Sequence, residues 1–238
     1  MNKKSLHIYI FVTLTVAFLV NMLIFSGTKL ITAGWHHTDM ALVLDELIPF
    51  VPAFIVIYVA GFAFWLICYY IAALGSSDNR QISVNDPTEG PGGLVRCRFF
   101  AADVLSKFIC LAFFLLLPTT MERPDPGTDT VLNAAVSLIY MIDAPDNLFP
   151  SIHCLVSWFC WIAVRDRKDL PPALRYFVLV FAILICISTV AVKQHVCADV
   201  FSGVILAEFC YWLTGFEGIR RLYTVPMQKL LSKLINRS

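Results

Sequence analysis

The sequence predicts an all-α protein embedded in a membrane, with six transmembrane helices. Of its 238 residues, 58% are hydrophobic and 15% are charged, whereas soluble domains have about 45–50% apolar and about 25% charged residues. Such a chain has too little polar material to cover a surface that faces water, which excludes a soluble protein. Six apolar stretches approach the roughly 20 residues that cross a bilayer as a helix. They are Leu6–Phe25, Phe50–Leu74, Phe99–Leu117, Ser151–Val164, Ala173–Val192 and Val196–Phe216.

Three of these stretches depart from an ideal span. Leu6–Phe25 follows two lysines as a signal peptide would, but its apolar run is longer than a signal core, and we interpret it as an uncleaved first span. Phe99–Leu117 contains Asp103 and Lys107, which are four residues apart on one helical face and are predicted to pair. Ser151–Val164 is short, which a span tolerates when its first turn lies among protein groups.

The distribution of basic residues predicts the orientation of the chain in the membrane. With six spans, 15 of the 18 Lys and Arg residues fall on one side, and only Lys29, Arg123 and Lys193 fall on the other. Both termini are therefore expected in the cytoplasm and the three exceptions outside. The short loops favour a bacterial plasma membrane as the host membrane.

The chain is predicted to form a single membrane domain with three parts. Residues 1–98 hold the first two spans, 99–217 a four-span catalytic core, and 218–238 a basic amphipathic tail, broken at Pro226, at the inner interface. Helical apolar spacing at Val131–Ile142 predicts a helix on the membrane surface, and the inner loop from Gly75 to Leu94 is predicted to be irregular. The expected partners are membrane lipids, including a lipid phosphate substrate. Nucleic acid is not expected as a partner, because the net charge is only +1.

Polar residues at membrane depth are costly, so their positions are informative about function. Here they collect in three segments at the outer ends of spans. These read PTTMERP at 118–124, NLFPSIH at 147–153 and STVAVKQHVCAD at 188–199. The six-span topology brings all three segments to the same membrane face.

The third segment contains the residues of a nucleophilic site. His195 and Asp199 are four residues apart at a helix start, so the carboxylate can accept a hydrogen bond from one imidazole nitrogen and leave the other basic. This pairing is typical of a nucleophile with its orienting group. His153, in the second segment, supplies another imidazole that can protonate a leaving oxygen.

The second segment opens a helix whose first turn is suited to bind an anion. Ser151 and the backbone N–H groups of Ile152 and His153 lie there, and a helix N-terminus attracts phosphate. Arg123 can add a bidentate contact, and Lys193 can add a point charge. Together these groups predict phosphoryl transfer through a covalent phosphohistidine.

These residues resemble the signature of the type 2 phosphatidic acid phosphatases, also called lipid phosphate phosphatases, which share a core with vanadium haloperoxidases. That signature is Lys, six residues, Arg-Pro; then Pro-Ser-Gly-His; then Ser-Arg, five residues, His, three residues, Asp. The chain has Arg123-Pro124, the run Pro150–His153, and Ser188-Thr189 followed by His195 and Asp199 at the family spacing. The resemblance covers the C-terminal half of the chain.

The resemblance implies the helical bundle of that family and a role for each matching residue. His195 would be the nucleophile, Asp199 its orienting group and His153 the acid. The phosphate contacts would come from Arg123, Ser151 and Ser188. The mechanism would need no metal or other cofactor. The implied substrate is a phospholipid phosphate monoester or a polyprenyl diphosphate at the outer face, with phosphatidic acid and phosphatidylglycerophosphate among the candidates.

Three positions depart from the signature. Its first Lys is Leu116 here, its Gly is Ile152 and its second Arg is Thr189. We hypothesise that Lys193 replaces one of the two missing cations, in which case Lys193→Ala should reduce turnover severely. The same departures resemble the sphingomyelin and inositol phosphorylceramide synthases, in which a lipid hydroxyl or inositol accepts the phosphoryl group. An inactive lipid-binding or transport protein is a third alternative.

Several residues also admit other interpretations. His195 and Asp199 can form a polar pair that holds helices together, or a metal site with His153. Glu208 is predicted to face away from this site and to form an interhelical hydrogen bond, with proton transport as the alternative. Two cysteines, Cys154 and Cys197, each neighbour a motif histidine and can approach each other closely enough for a disulfide.

Overall fold

A computed structural model describes residues 3–75 and 90–235, which fold almost entirely as α-helix. The predicted loop from Gly75 to Leu94 lies largely outside the described residues. The helices are α1 (Lys3–Thr32), α2 (Val43–Leu47), α3 (Ile55–Leu74, preceded by a 3-10 turn at Pro52–Phe54), α4 (Gly90–Leu116), α5 (Val131–Ile142), α6 (Ile152–Val164), α7 (Pro172–Ala191), α8 (Cys197–Leu213) and α9 (Glu217–Ile235). Two short strands, β1 (Thr38–Asp39) and β2 (Thr119–Thr120), pair in parallel.

The structure has a helix at each of the six predicted stretches, but the count of six spans is not confirmed. Among the described residues, four helices are long and apolar enough to cross a membrane: His7–Thr32, Pro52–Leu74, Gly93–Leu116 and Pro172–Ala191. Helices α8 and α9 pass the same test only together, and they are bent by 88°. The chain therefore has four to five candidate spans, and α6 is shorter than a span.

Helix α6 is short because it is the central helix of the bundle. Its 13 residues rise about 20 Å, and nine of them are buried. Helices α3, α4, α7 and α8 pack around it. Since protein rather than lipid surrounds α6, its length need not match the thickness of the bilayer.

Two helices extend beyond the apolar runs that predict them. Helix α1 continues past Phe25 to Thr32, and the hydroxyls of Thr28 and Thr32 there donate to carbonyls of their own helix at 2.6 and 2.9 Å, so neither needs a water. Helix α4 begins at Gly90, ahead of the predicted Phe99. Its added turns are anchored by Arg98, whose Nε donates to the Tyr211 carbonyl at 2.9 Å.

Helix α9 runs through Pro226 without the predicted break. A proline inside a helix removes one hydrogen bond and crowds the preceding turn. Met227 and Leu231, after the proline, belong to the main core cluster with residues of α1 and α4, and Tyr223, before it, packs against that cluster. This packing holds the helix together across the proline.

Two predicted polar contacts inside the bundle are confirmed. Lys107 Nζ lies 2.9 Å from Asp103 Oδ1, with both side chains almost fully buried. Tyr69 donates its hydroxyl to the same oxygen at 2.7 Å, so the buried charge is paired and hydrogen-bonded as burial requires. Glu208 accepts from Trp158 Nε1 at 2.8 Å and pairs with Arg165, which is the interhelical contact predicted for it.

Backbone contacts bring the ends of α1, α4 and α7 and the starts of α3, α6 and α8 to one end of the bundle, here called the motif end. The Thr38 N–H donates to the Pro118 carbonyl at 2.9 Å, and the Val51 N–H donates to the Ala191 carbonyl at 2.9 Å. The short β1–β2 pair joins the loop that follows α1 to the loop that follows α4. No sequence pattern predicts this pair, because its strands are two residues long and far apart in the chain.

Helix α5 also lies at the motif end and has the predicted bounds. The Thr130 side chain caps it by accepting from the Asn133 N–H at 3.1 Å. Val136 is fully buried in a small cluster with Ile55 and Tyr58. The opposite face is apolar and exposed, and includes Val131 and Met141, as expected for a helix on a membrane surface.

Helix α8 approaches the start of α6 so closely that only glycine fits at the contact. A Cβ at Gly203 would lie 2.6 Å from the Ser151 carbonyl oxygen and 3.2 Å from the Leu155 nitrogen. Both neighbours are backbone atoms, which cannot rotate away. Gly203 therefore sets the spacing between the helices that carry the second and third polar segments.

We expect Gly203→Ala to destabilise the protein by about 1–3 kcal/mol, because the added methyl group forces α8 away from α6. The measurement is the thermal unfolding midpoint of the purified protein in detergent. Gly27→Ala is the matched control, since Gly27 is also helical and its Cβ would meet nothing within 4 Å. That control should be neutral or stabilising by up to about 1 kcal/mol; an equal loss in both variants would contradict this role for Gly203.

Candidate active site

Hydrogen bonds join the first polar segment to the second. The Thr119 hydroxyl accepts from the backbone N–H groups of Leu148 and Phe149 at 2.9 and 3.0 Å. The Thr119 carbonyl accepts from the Asn147 N–H at 2.9 Å. Because Thr119 begins β2, the β1–β2 pair positions the chain that leads into α6.

The third segment is tied to both of the others. The Ser151 N–H donates to the Asp199 carbonyl at 3.1 Å, which joins the second segment to the third. Arg123 Nη2 donates to Gln194 Oε1 at 2.6 Å, which joins the first to the third. Within the third segment, the Thr189 carbonyl accepts from the N–H groups of both Gln194 and His195 and closes the turn between α7 and α8.

Four side chains form a continuous row of polar contacts at the motif end. His195 Nδ1 lies 3.2 Å from Asp199 Oδ2, and His195 Nε2 lies 3.3 Å from His153 Nδ1. His153 Nε2 in turn lies 2.8 Å from the Tyr58 hydroxyl. The order along the row is Asp199, His195, His153, Tyr58, contributed by α8, the turn before it, α6 and α3.

The carboxylate at one end determines where the hydrogens of this row lie. A carboxylate only accepts, so the contact with Asp199 assigns a hydrogen to His195 Nδ1, and a neutral imidazole then keeps its lone pair on Nε2. The hydrogen between the two rings then belongs to His153 Nδ1. Neutral His153 is left with a lone pair on Nε2, to which the Tyr58 hydroxyl donates. Every contact thus has one donor and one acceptor.

Asp199 also caps helix α8. Its Oδ2 accepts from the Val196 N–H at 3.1 Å, in addition to His195 Nδ1, and the residue is fully buried. His195 therefore lies just ahead of the helix rather than on it. One oxygen atom of Asp199 thus both orients the imidazole and helps to cap α8.

Arg123 is held at the edge of the site by three groups. Its Nη1 donates to the Asp143 carbonyl at 2.6 Å, its Nη2 donates to Gln194, and its guanidinium stacks on the Tyr140 ring at 4.7 Å. Burial lowers the pKa of Arg123, and the negative charge of Asp143 opposes that shift. Burial raises the pKa of Tyr140 to about 12, so the phenol stays neutral and donates to the Val192 carbonyl at 2.7 Å.

Lys29, a second cation of the motif end, pairs with two carboxylates. Its Nζ lies 2.6 Å from Asp143 Oδ1 and 2.7 Å from Asp146 Oδ1. Burial acts to raise the pKa of Asp143, but the neighbouring basic groups, His153 and Lys29, hold it below its ordinary value. This network fixes the end of α5 against α1, directly behind Arg123.

The other predicted contact residues lie around the same turn. Ser151 is the N-cap of α6 and accepts from the Cys154 N–H at 3.2 Å, while the N–H groups of Ile152 and His153 have no partner within their own helix. Ser188 is buried and donates to the Ile185 carbonyl. Lys193 Nζ donates to two backbone carbonyls, those of Asp45 in α2 and of Ile48 directly after it, at 2.8 and 2.6 Å.

Two of the remaining alternatives are also addressed by the structure. Cys154 and Cys197 are free, as are the other six cysteines, so the disulfide considered between them is not formed. Across residues 3–75 and 90–235, no group of three or more His, Cys, Asp or Glu side chains is arranged to hold a metal ion.

Sequence reasoning missed Tyr58, Gln194 and Asp45 as residues of this site. Tyr58 lies within an apolar aromatic run, and no spacing distinguishes its hydroxyl from those of packing tyrosines. Asp45 lies in α2, far from α8 in the chain, and caps α8 because its Oδ1 accepts from the Cys197 N–H at 2.7 Å. Only Gln194 could have been predicted from the sequence to lie in the site, since it is a polar residue next to His195.

A comparison with family profiles matches residues 97–215, half of the chain, to the PAP2 superfamily. The chain belongs to the PAP2 superfamily. No curated protein and no solved structure matches it. Membership supports a phosphatase or phosphotransferase type of function, and the long apolar helices indicate a membrane protein.

The PAP2 match runs from the middle of α4 through α8 and so includes all three polar segments. It leaves out α1 to α3, although Lys29 from α1 and Tyr58 from α3 both contact residues of the matched stretch. The motif end of this PAP2 protein is therefore built from both halves of the chain.

We expect Asp143→Asn to lower the free energy of unfolding by about 1–3 kcal/mol at neutral pH, because it breaks a partly buried charged contact. The pKa of Asp143 is lower in the folded protein than in the unfolded chain, so ionised Asp143 stabilises the fold above its ordinary pKa. That stabilisation is lost as the pH falls below the ordinary aspartate pKa of about 3.9 and through the lower pKa of the folded state. Thermal unfolding in detergent across this range should show a smaller acid-induced decrease in the variant than in the wild type.

The control is Asp129→Asn, which changes an exposed carboxylate at the other end of α5. It should leave the dependence of the unfolding midpoint on pH as in the wild type. If Asp143→Asn and Asp129→Asn have the same pH dependence, Asp143 does not stabilise the fold through its charge.

Proposed function

We propose that this protein is a membrane-embedded phosphatase that hydrolyses lipid phosphate monoesters or diphosphates through a phosphohistidine on His195. The observation that supports the proposal best is the hydrogen-bonded order Asp199, His195, His153 beside the start of α6. It presents a basic lone pair, a proton donor and an anion-binding helix N-terminus at one place. PAP2 membership supports the same class of reaction.

In the first step, His195 Nε2 attacks the phosphorus atom and a P–N bond forms as the P–O bond to the lipid breaks. Asp199 stabilises the positive charge that develops on the imidazole. The leaving oxygen takes a proton from Nδ1 of His153, which enters this step doubly protonated and leaves it neutral with its hydrogen on Nε2. Because the two rings face each other at 3.3 Å between nitrogens, the substrate phosphate must enter between them.

In the second step, water attacks the phosphohistidine. His153, now without its Nδ1 proton, removes a proton from this water, and the P–N bond breaks with its electron pair returning to His195 Nε2. The products are inorganic phosphate and the regenerated pair of histidines. A lipid hydroxyl in place of water would make the same step a phosphotransfer.

Positive charge and N–H donors bind the phosphate in this proposal. The backbone N–H groups of Ile152 and His153 and the hydroxyl of Ser151 lie at the start of α6, where a helix attracts anions. Arg123 approaches from the loop after α4, and the amide nitrogen of Gln194 is buried without a partner among the described residues. Ser188 and Lys193 complete the proposed set.

The surroundings of the site favour a lipid substrate. Phe113 of α4 and Phe149 beside α6 contact each other, with ring centroids 5.4 Å apart, and Leu116 is 84% exposed. An acyl or prenyl chain can lie along this apolar surface while its phosphate reaches the histidines. In this proposal α6 and α8 complete a six-span bundle, with the motif end at the outer face of a bacterial plasma membrane and both termini in the cytoplasm.

We expect the wild-type protein in detergent to release phosphate from at least one of phosphatidic acid, phosphatidylglycerophosphate and undecaprenyl diphosphate. Release should persist in EDTA. It should be inhibited by vanadate, which mimics the pentacoordinate transition state of phosphoryl transfer. His195→Ala should lower the rate by roughly 1,000-fold or more, because it removes the nucleophile. His36→Ala, which changes an exposed histidine of a nearby loop, is the matched control and should retain wild-type activity.

The same assay separates the two alternative functions. Replacement of two motif cations by Leu116 and Thr189 favours a lipid phosphotransferase as the second candidate, which would form product only when diacylglycerol, ceramide or inositol is added as acceptor. An inactive binding protein would show no turnover, and His195→Ala would still bind the lipid. Either outcome would overturn the proposed hydrolysis.

The proposed phosphate contacts predict different effects for two cations. Arg123→Lys should lower kcat/KM by roughly 100-fold, because a lysine cannot keep the paired contacts to Gln194 and to a phosphate. Lys193→Ala should also lower turnover severely if Lys193 replaces a missing motif cation. Arg175→Lys, at the opposite end of the bundle, is the control. Near-normal activity of Lys193→Ala would show that Lys193 does not bind the phosphate and only contacts the carbonyls of Asp45 and Ile48.

A further inference from the structure

Tyr58 contacts the proposed active site from outside the PAP2-matched residues. It lies on the first turn of α3 and is 1% exposed. Its hydroxyl lies 2.8 Å from His153 Nε2, and its ring stacks on the imidazole with centroids 5.1 Å apart and planes 29° apart. Both the polar and the flat parts of the side chain therefore constrain His153.

Other contacts hold α3 in register with α6, so the position of Tyr58 is not accidental. Trp65, two turns further along the same face of α3, donates its Nε1–H to the Ser157 hydroxyl at 2.9 Å. Ser157 donates to the His153 carbonyl at 2.7 Å. The Trp65 and His153 rings are also 5.5 Å apart. His153 thus lies in an aromatic pocket in which only one hydroxyl faces Nε2 among the contacts of the described residues.

A hydroxyl is suited to this position because it can both donate and accept. When neutral His153 carries its hydrogen on Nδ1, Tyr58 donates to the Nε2 lone pair, and when the neutral ring carries it on Nε2, Tyr58 accepts. When His153 carries a hydrogen on both nitrogens, the hydroxyl rotates and accepts from Nε2–H. A carboxylate would favour only the charged imidazole, and an apolar side chain would leave a buried nitrogen without a partner, which is costly.

We propose that Tyr58 is a positioning residue for proton transfer by His153, and this inference rests on the phosphatase function proposed above. Tyr58 binds Nε2 in both protonation states and so directs Nδ1 toward the leaving oxygen. In the first step, Nδ1–H of doubly protonated His153 passes to that oxygen, and the remaining Nε2–H donates to Tyr58. In the second step, Nδ1 takes a proton from water while the contact to Tyr58 is kept. Tyr58 itself neither gains nor loses a proton.

Tyr58→Phe keeps the stacked ring and removes only the hydroxyl, so its effect should depend on the leaving group. p-Nitrophenyl phosphate releases a stable phenolate that needs little protonation, whereas phenyl phosphate and dioctanoyl phosphatidic acid release more basic oxygens. We expect kcat/KM to fall by roughly 10- to 100-fold for the two basic leaving groups and by less than about threefold for p-nitrophenyl phosphate. A merely structural role would lower all three equally.

Two controls make the result specific. Tyr70→Phe, on the same helix at an exposed position, should match the wild type with all three substrates. In a His153→Ala background, Tyr58→Phe should cause no further loss, because a residue that acts through His153 has nothing left to position. The thermal unfolding midpoint of each variant is measured alongside the activity, so that a folding defect in Tyr58→Phe is recognised. If there is such a defect, the comparison of His153→Ala with the double variant tests whether Tyr58 acts through His153.

The outcomes separate this inference from the function on which it rests. If the wild type turns over none of the aryl or lipid phosphates, the phosphatase function fails and the inference fails with it. If the wild type is active and His195→Ala is not, the function stands. Equal losses with every leaving group, an unchanged rate in Tyr58→Phe, or a further loss in the His153→Ala background would then overturn the role of Tyr58 alone.

Discussion

The motif end depends above all on one buried carboxylate, that of Asp199. Its Oδ2 accepts from the Val196 N–H and from His195 Nδ1, and its backbone carbonyl accepts from the Ser151 N–H. A charge buried in a protein must be satisfied by donors, so these groups are drawn together as the chain folds. This residue thereby caps α8 together with Asp45, orients the His195 imidazole and holds the first turn of α6 beside it. The glycine at 203 allows the two helices to come as close as these bonds require.

The scarce charges of the motif end are nearly all committed to fixed contacts. Lys29 is neutralised by Asp143 and Asp146, and Arg123 is held by a carbonyl, an amide and an aromatic ring. Partners of low charge leave the field of Arg123 available to an anion, whereas a carboxylate bound directly to the guanidinium would cancel it. Arg123 is thus held in place by three partners that carry no charge.

The helices could be predicted from the sequence wherever a local pattern determines them. Apolar runs indicated each bundle helix, the spacing at 131–142 indicated α5, and the separation of Asp103 and Lys107 indicated their pair. Predictions failed where packing overrides a local rule. Helix α9 passes Pro226 because its buried face packs on α1 and α4. Whether a short helix spans the membrane likewise depends on what surrounds it, as α6 shows.

The sequence by itself determined the helical class, the membrane setting and the three polar segments, since composition, periodicity and motif spacing are local properties. It also indicated which residues of those segments to consider, and the structure places His153, His195 and Asp199 in contact. Only the tertiary structure decided that Tyr58 reaches His153, that Gln194 holds Arg123 and that Asp45 caps α8. The physical reason is that these contacts join residues 71 to 152 positions apart. Their geometry depends on how whole helices pack, which no local pattern encodes.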